Sequence, residues 1–267
     1  MEMEQLHHPK IRGKDMTLNI RTMRGQPPTL VFLHGLASSL ESTKGNFLLD
    51  VAMKYKLGIL RMDYRGHGMS DGNFTECTLT DWKEDTLLGI DNFTEGPLLF
   101  VGSSIGVWVG LLAALERPER IMGFVGIAAA VDVTRHLYQT LSSFEKEALD
   151  QTGLCKTYSN HADPITITQR LMDSGQNNLL MDKPIPLHCP VRLLHGEKDT
   201  DVPYSYSLEL SKALESEDVH TILIKDGEHR LSREQDLALL EQTIEMMVKN
   251  YHKNTPLTKP VDRISYF

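Results

Sequence analysis

Short contiguous apolar runs alternate with segments of helical periodicity along most of the chain. Residues 16–23 can pair as an early antiparallel strand, and Gly25-Gln26-Pro27-Pro28 reads as a turn. Residues 29–35 form a buried strand that ends in a loop, and 57–63 form the next strand. The spacing of Leu79, Trp82, Leu87 and Ile90 predicts a helix over 79–93. Residues 97–102 are a short apolar strand, followed by a helix over 105–115 that is apolar nearly all round and therefore deeply buried. Further strands are expected over 121–130, 191–196 and 219–224. Ser232 is placed to cap a closing helix whose core face holds Leu237, Leu240, Ile244 and Val248.

Strand and helix in alternation specify an α/β fold with a mostly parallel central sheet flanked by helices. With no linker, repeat or low-complexity tract, residues 1–267 read as a single domain. Residues of about 131–190 show no clear strand character, while Leu137, Tyr138, Leu141, Phe144 and Leu149 suit an amphipathic helix. A connection of that length inside a compact domain is usually functional, so it is expected to be a cap over the active site. The polar, proline-containing tail of about 253–267 is expected to be loosely ordered.

Composition narrows the class. The formal net charge of −8 leaves no basic surface to displace the counterions of a nucleic acid. No apolar run approaches the roughly 20 residues a spanning helix needs, so no stable membrane insertion is expected. The start, Met1-Glu2-Met3-Glu4, has no basic and apolar leader pattern, which as written points to the cytoplasm. Cys77, Cys155 and Cys189 form neither a disulfide framework nor a metal pattern and suit a reducing compartment.

Four segments carry candidate chemistry. Gly102-Ser103-Ser104-Ile105-Gly106 matches G-x-S-x-G between an apolar strand and a buried helix, the context of a nucleophile elbow. Ser104 is the candidate nucleophile, and Ser103 is assigned a structural role. His34-Gly35-Leu36 ends an early strand, where the Leu36 N–H, together with that of Ile105, can form an oxyanion hole. In His195-Gly196-Glu197-Lys198-Asp199-Thr200-Asp201 both aspartates qualify as the acid by type. Asp199 is preferred because it follows the strand more closely, while Asp201 reads as a turn residue. His229 is the histidine between the last strand and the last helix, and is the candidate base. The Gly-rich run of residues 61–72 lacks the marks of a phosphate loop and is read as a tight loop shaping the site. His7, His8, His188 and His195 show no recognised metal-ligand spacing. Neither metal nor other cofactor is called for.

The run Val31-Phe-Leu-His-Gly35, the block Asp63-Tyr-Arg-Gly-His-Gly-Met-Ser-Asp-Gly72, the elbow, residues 195–203 and Glu228-His229-Arg230 together resemble the α/β-hydrolase superfamily over nearly the whole chain. More narrowly, residues 102–108 and His229-Arg230 are similar to the abhydrolase-domain family of mitochondrial palmitoyl-protein thioesterases and mycophenolic acid acyl-glucuronide esterases, with Val107 standing where that family commonly has glycine. The resemblance implies Ser104, Asp199 and His229 as a triad. It also implies an acylated small molecule or an S-acylated protein as substrate, and a mitochondrial location. Trp108 and apolar residues of the cap are candidates to line an acyl pocket, with ordinary core packing the equal alternative. A general carboxylesterase and a non-catalytic hydrolase-fold binding protein are the competing functions. The sequence does not assign an oligomeric state.

Overall fold

A computed structural model of the chain describes residues 3–157 and 164–254. Its centre is an eight-stranded sheet in the order β1-β2-β4-β3-β5-β6-β9-β10. The first two strands, β1 (Gln5–His7) and β2 (Asn19–Met23), are antiparallel to each other, and β2 is antiparallel to β4 (Leu57–Asp63). From β4 onward all pairings are parallel: β3 (Gln26–Leu33), β5 (Leu98–Ser103), β6 (Ile121–Ile127), β9 (Val191–Gly196) and β10 (Val219–Ile224).

The central strands are buried on both faces, which is why they read as continuous apolar runs and not as alternation. Their side chains still alternate between two cores. On one face Val31, Leu33, Leu60, Met62, Leu98 and Phe100 pack with α2 (Leu79–Phe93) and α3 (Ile105–Glu116), through Trp82, Ile90, Trp108 and Leu112. On the other, Leu30, Phe32, Ile59, Leu99 and Val101 meet α1 (Thr43–Tyr55) and α8 (Glu234–Asn254), through Leu48, Val51, Leu240, Ile244 and Val248. Helix α2 starts on a capping box. The Thr78 hydroxyl accepts the Asp81 N–H, and the Asp81 carboxylate accepts the Thr78 N–H at 3.0 Å.

Three expectations need correction. Residues 25–28 are not only a turn, because β3 begins at Gln26 and takes in both prolines. A proline has no N–H to give a ladder and is tolerated at a strand's beginning. Ser232 does not cap α8, which starts at Glu234. The Ser232 hydroxyl instead donates to the Arg230 carbonyl at 3.0 Å, and the Asp236 carboxylate takes the Arg233 N–H at 3.1 Å. Residues 131–190 do contain strands: β7 (Leu154–Thr157) and β8 (Ile165–Thr168) pair antiparallel. Around that hairpin lie α4 (Thr134–Thr140), α5 (Ser143–Thr152) and α6 (Gln169–Gln176). Helix α7 (Ser205–Ala213) follows β9. Of the expected loose tail, Lys253 and Asn254 belong to α8, and residues 255–267 lie outside the described residues.

The segment between β6 and β9 has its own small core of Leu141, Leu149, Cys155 and Ile167. The buried carboxylate of Asp132 ties the two ends of the segment together, accepting the N–H groups of Leu180 and Met181 at 2.9 and 2.8 Å, and the Trp108 indole N–H of α3 fixes the segment to the body by donating to the Asn178 carbonyl at 3.0 Å.

Candidate active site

Strand β5 passes into α3 through one residue, Ser104, whose φ of 55° and ψ of −122° lie where L residues seldom sit. Such a conformation costs on the order of 1–3 kcal/mol and persists only where the surroundings over-determine it. Here the Ser104 N–H donates to the Ile127 carbonyl at 2.8 Å, and the Ser104 carbonyl accepts from Val107 and Ala130 at 3.0 and 3.3 Å. Two glycines permit the turn. A Cβ on Gly102 would lie 2.8 Å from the Gly106 carbonyl oxygen, and one on Gly106 would lie 2.2 Å from the Leu33 carbonyl oxygen. Strand, helix and β3 can approach this closely only without side chains at those points.

His229 lies in the loop between β10 and α8. Its Nε2 is 3.1 Å from Ser104 Oγ, and its Nδ1 is 2.7 Å from Asp199 Oδ2. A carboxylate only accepts, so Nδ1 carries the proton and Nε2 is free to accept the serine's. The Asp199 side chain is fully buried, and four donors meet it. The N–H groups of Asp201 and Val202 reach Oδ1 at 2.9 and 2.8 Å, while His229 and His195 reach Oδ2. Burial alone would push this carboxyl up. The hydrogen bonds from His195 and His229, with the Val202 amide, outweigh it and hold the group well below its ordinary value. Asp201, the alternative acid, is exposed and contributes its backbone N–H to Asp199.

Two supports of this relay escaped the sequence reading. His195, fully buried at the end of β9, donates from Nε2 to Asp199 Oδ2 at 3.1 Å and to the Val202 carbonyl at 2.9 Å, with its Nδ1 2.7 Å from the Ser207 hydroxyl. Its signal was its place four residues before Asp199. Lys44 of α1 is buried and donates to the Arg230 carbonyl and, at 3.3 Å, to Ser232 Oγ, gripping the loop that carries His229. Burial, and then the charge of Arg230, lower its pKa to about 8 against the pull of Asp236. Nothing in the sequence pattern marks a lysine for such a role.

The loop after β3 lies against the serine. A Cβ on Gly35 would fall 3.3 Å from Ser104 Cβ and 4.0 Å from its Oγ, so the loop that continues into Leu36 passes against the serine at Gly35. Ile105 opens α3, where first-turn N–H groups have no partner within the helix. Leu36 also packs against the small core of the 131–190 segment, which places that segment beside the site. Ser103 is buried at the end of β5.

Trp108 does not line an open pocket. It is completely buried in the α2–α3 core, and its indole N–H is used by Asn178, so the packing alternative holds for it. A cavity of about 450 Å³ lies elsewhere, lined by Asp132, Arg135, Lys183, Tyr206 and Lys212 among others, and no triad residue borders it. Among the described residues no group of three or more His, Cys, Asp or Glu could hold a metal ion, and no helix is long and apolar enough to cross a membrane.

Known proteins resemble the chain in sequence and in fold. Residues 26–185 match the family model described as "Serine aminopeptidase, S33". The mitochondrial palmitoyl-protein thioesterase ABHD10 of Mus musculus is 35% identical over 240 residues, which is 89% of this chain and 80% of that protein. The solved structure of mouse alpha/beta hydrolase domain-containing protein 10 superposes with a TM-score of 0.86 at 33% identity, covering 92% of this chain and 99% of that one. A putative hydrolase from Agrobacterium vitis S4 superposes with a TM-score of 0.88, also at 33% identity, covering 92% of this chain and 100% of that one.

Proposed function

Starting from the fact that the chain belongs to the serine aminopeptidase S33 family of α/β-hydrolases and is a serine hydrolase of esterase or thioesterase type, we propose that Ser104, His229 and Asp199 are its catalytic triad, with the Leu36 and Ile105 N–H groups as oxyanion hole. The observation that carries the assignment is the continuous relay from Ser104 Oγ through both nitrogens of His229 to a buried, four-fold hydrogen-bonded Asp199.

In this reading His229 Nε2 takes the Ser104 proton as Oγ attacks the acyl carbonyl carbon. The carbonyl electron pair moves to oxygen, and the two amides stabilise the resulting oxyanion. Collapse expels the thiolate or alkoxide, which takes the proton from His229 and leaves an acyl-serine. Water then repeats the sequence, releasing the acid and restoring the serine. Asp199 holds the imidazole in the required tautomer and stabilises its charged form.

The substrate class is an acyl ester or thioester. The finer reading is removal of long acyl chains from protein cysteines and of acyl groups from acyl-glucuronides, in mitochondria. The thioesterase and mitochondrial parts are supported by relatives, named as mitochondrial palmitoyl-protein thioesterases, that align over most of this chain, and the acyl-glucuronide part rests on the resemblance of residues 102–108 and His229-Arg230. The segment of residues 131–190 acts as a cap, supported by its contact with Leu36.

Labelling with a fluorophosphonate probe, wild type against Ser104→Ala, tests the assignment. Labelling and ester turnover should both vanish in a variant that keeps the wild-type circular dichroism spectrum. Persistent labelling of Ser104→Ala would remove Ser104 from the mechanism. A parallel series of acyl thioesters and oxygen esters then reads the leaving group, and a profile flat from short to long chains would favour a general carboxylesterase.

A further inference from the structure

The Gly-rich run of residues 61–72 contributes no member of the triad, yet it reaches the site. Its His67 is 5% exposed and is wedged among the rings of Phe74, Trp82 and Tyr64 at centroid distances of 5.1, 5.1 and 5.8 Å. One polar edge faces the loop after β3, where the Ala37 N–H donates to His67 Nε2 at 3.3 Å. The other edge faces its own loop, with Nδ1 3.4 Å from the Arg65 carbonyl oxygen.

These two partners decide the proton. An amide N–H can only donate and a carbonyl can only accept, so Nδ1 bears the hydrogen and Nε2 the lone pair. Burial first, and then neighbouring His34, pull the His67 pKa down to about 3, against the Arg65 carbonyl and Asp63, so the ring is neutral throughout the working range. The residue that needs this help is Ala37. It sits at φ 51°, a left-handed conformation that is strained for a residue with a Cβ. It lies in a four-residue turn closed by the Ser38 N–H on the Gly35 carbonyl at 3.3 Å. Leu36 is the residue between Gly35 and Ala37. The Leu36 N–H shares its peptide plane with the Gly35 carbonyl, which the Ser38 N–H holds, and the bond to His67 fixes the next peptide, Leu36–Ala37, so Leu36 is restrained from both sides while Gly35 abuts Ser104.

We infer that His67 is a positioning residue for the oxyanion hole: as a neutral acceptor it locks the strained Gly35–Ser38 turn so that the Leu36 N–H points at the reacting oxygen. This rests on the reading of Leu36 as an oxyanion donor. The effect belongs to the transition state and not to substrate binding, because the oxyanion exists only there.

The test uses the full chain with p-nitrophenyl butyrate as substrate. His67→Met fills the space without an acceptor of comparable strength, and His67→Gln returns a neutral oxygen acceptor at a similar reach. His67→Met should lower kcat about 10- to 100-fold, the effect of a misaimed rather than deleted donor, with KM changed by less than about threefold. Inhibition by an alkyl trifluoromethyl ketone, whose serine adduct carries the oxyanion, should weaken by the same factor, while inhibition by the product carboxylate stays constant. His67→Gln should recover most of the loss. Unchanged kcat in His67→Met, equal weakening of ketone and carboxylate, or no recovery in His67→Gln would each overturn the inference. Because His67→Met can fail to fold, imidazole ¹⁵N spectra of the wild type give an independent reading. A proton on Nδ1 is expected, and a proton on Nε2 would overturn the inference. Activity surviving in Ser104→Ala would instead strike the triad, so the two failures are distinguishable.

Discussion

Asp199 and Asp201 are two residues apart in one turn, and residue type alone does not separate them. Geometry gives them different positions: one carboxylate is buried and meets four donors, while the other is exposed and lends a backbone N–H. Asp199→Asn presents an amide that can no longer hold the Nδ1-protonated tautomer of His229. It should lower kcat about 10³- to 10⁴-fold, the scale known for loss of the triad acid in a serine protease. Asp201→Asn keeps its N–H and should stay within about threefold, as expected of an exposed side chain away from the relay. Steady-state kinetics on both variants decides the matter, and a larger loss in Asp201→Asn would reverse the assignment. Residues at this scale were legible where they carried a local signature. Ser104 stands between two glycines, and His229 is the histidine between the last strand and the last helix. His195 and Lys44 were not legible. Their roles come from which distant backbone they reach, Val202 in one case and Arg230 in the other, and that is a property of the folded chain.

At the scale of elements, the strand–serine–helix unit could be read because three of its demands are written in adjacent residues: a buried strand, small residues at the crossing, and a helix apolar all round. The β7–β8 hairpin could not, because Leu154-Cys155-Lys156-Thr157 and Ile165-Thr166-Ile167-Thr168 are too short and mixed for periodicity to separate them from loop. The prolines at 27 and 28 hid the beginning of β3 for a related reason, since their chemistry marks a turn and a strand start alike. Trp108 shows the limit of reasoning by residue type. An aromatic side chain four residues after the nucleophile suits an acyl pocket, but α3 turns it into the core and onto Asn178. Trp108→Phe should therefore destabilise by about 1–3 kcal/mol, from the smaller ring and the unpaired Asn178 carbonyl. Its acyl-chain preference should match that of wild type. Chemical denaturation and a chain-length series test both halves, and a shifted preference at unchanged stability would return Trp108 to the pocket.

Across the whole molecule, stability should depend on pH through histidines that the fold keeps neutral. His34 is completely buried, and burial lowers its pKa to about 4 despite its bond to the Gly35 carbonyl. Asp63 lies 3.9 Å away, with its oxygens engaged by Leu40, Asn19 and Met69. His67 is lowered further, to about 3. The unfolded chain binds these protons near pH 6.5 and the folded chain refuses them, so stability is full above 6.5 and is lost as pH falls toward 4 and then 3. His34 alone is worth on the order of 3 kcal/mol over that window. Asp199, depressed when folded, adds a loss of the same sign below its ordinary value of 3.8. Thermal unfolding followed by circular dichroism should give a Tm that is constant between pH 7 and 8 and falls steadily from 6.5 to 4, and a flat profile from 6.5 to 4 would contradict neutral buried histidines. The sheet order has one more consequence. Turn and serine come from β3 and β5 at its centre, whereas acid and base follow β9 and β10 at its far edge, the last strands to be made. During synthesis a nascent chain therefore exposes a serine with no base to activate it, and with these roles hydrolytic competence arrives only after the ribosome has released the loop of His229.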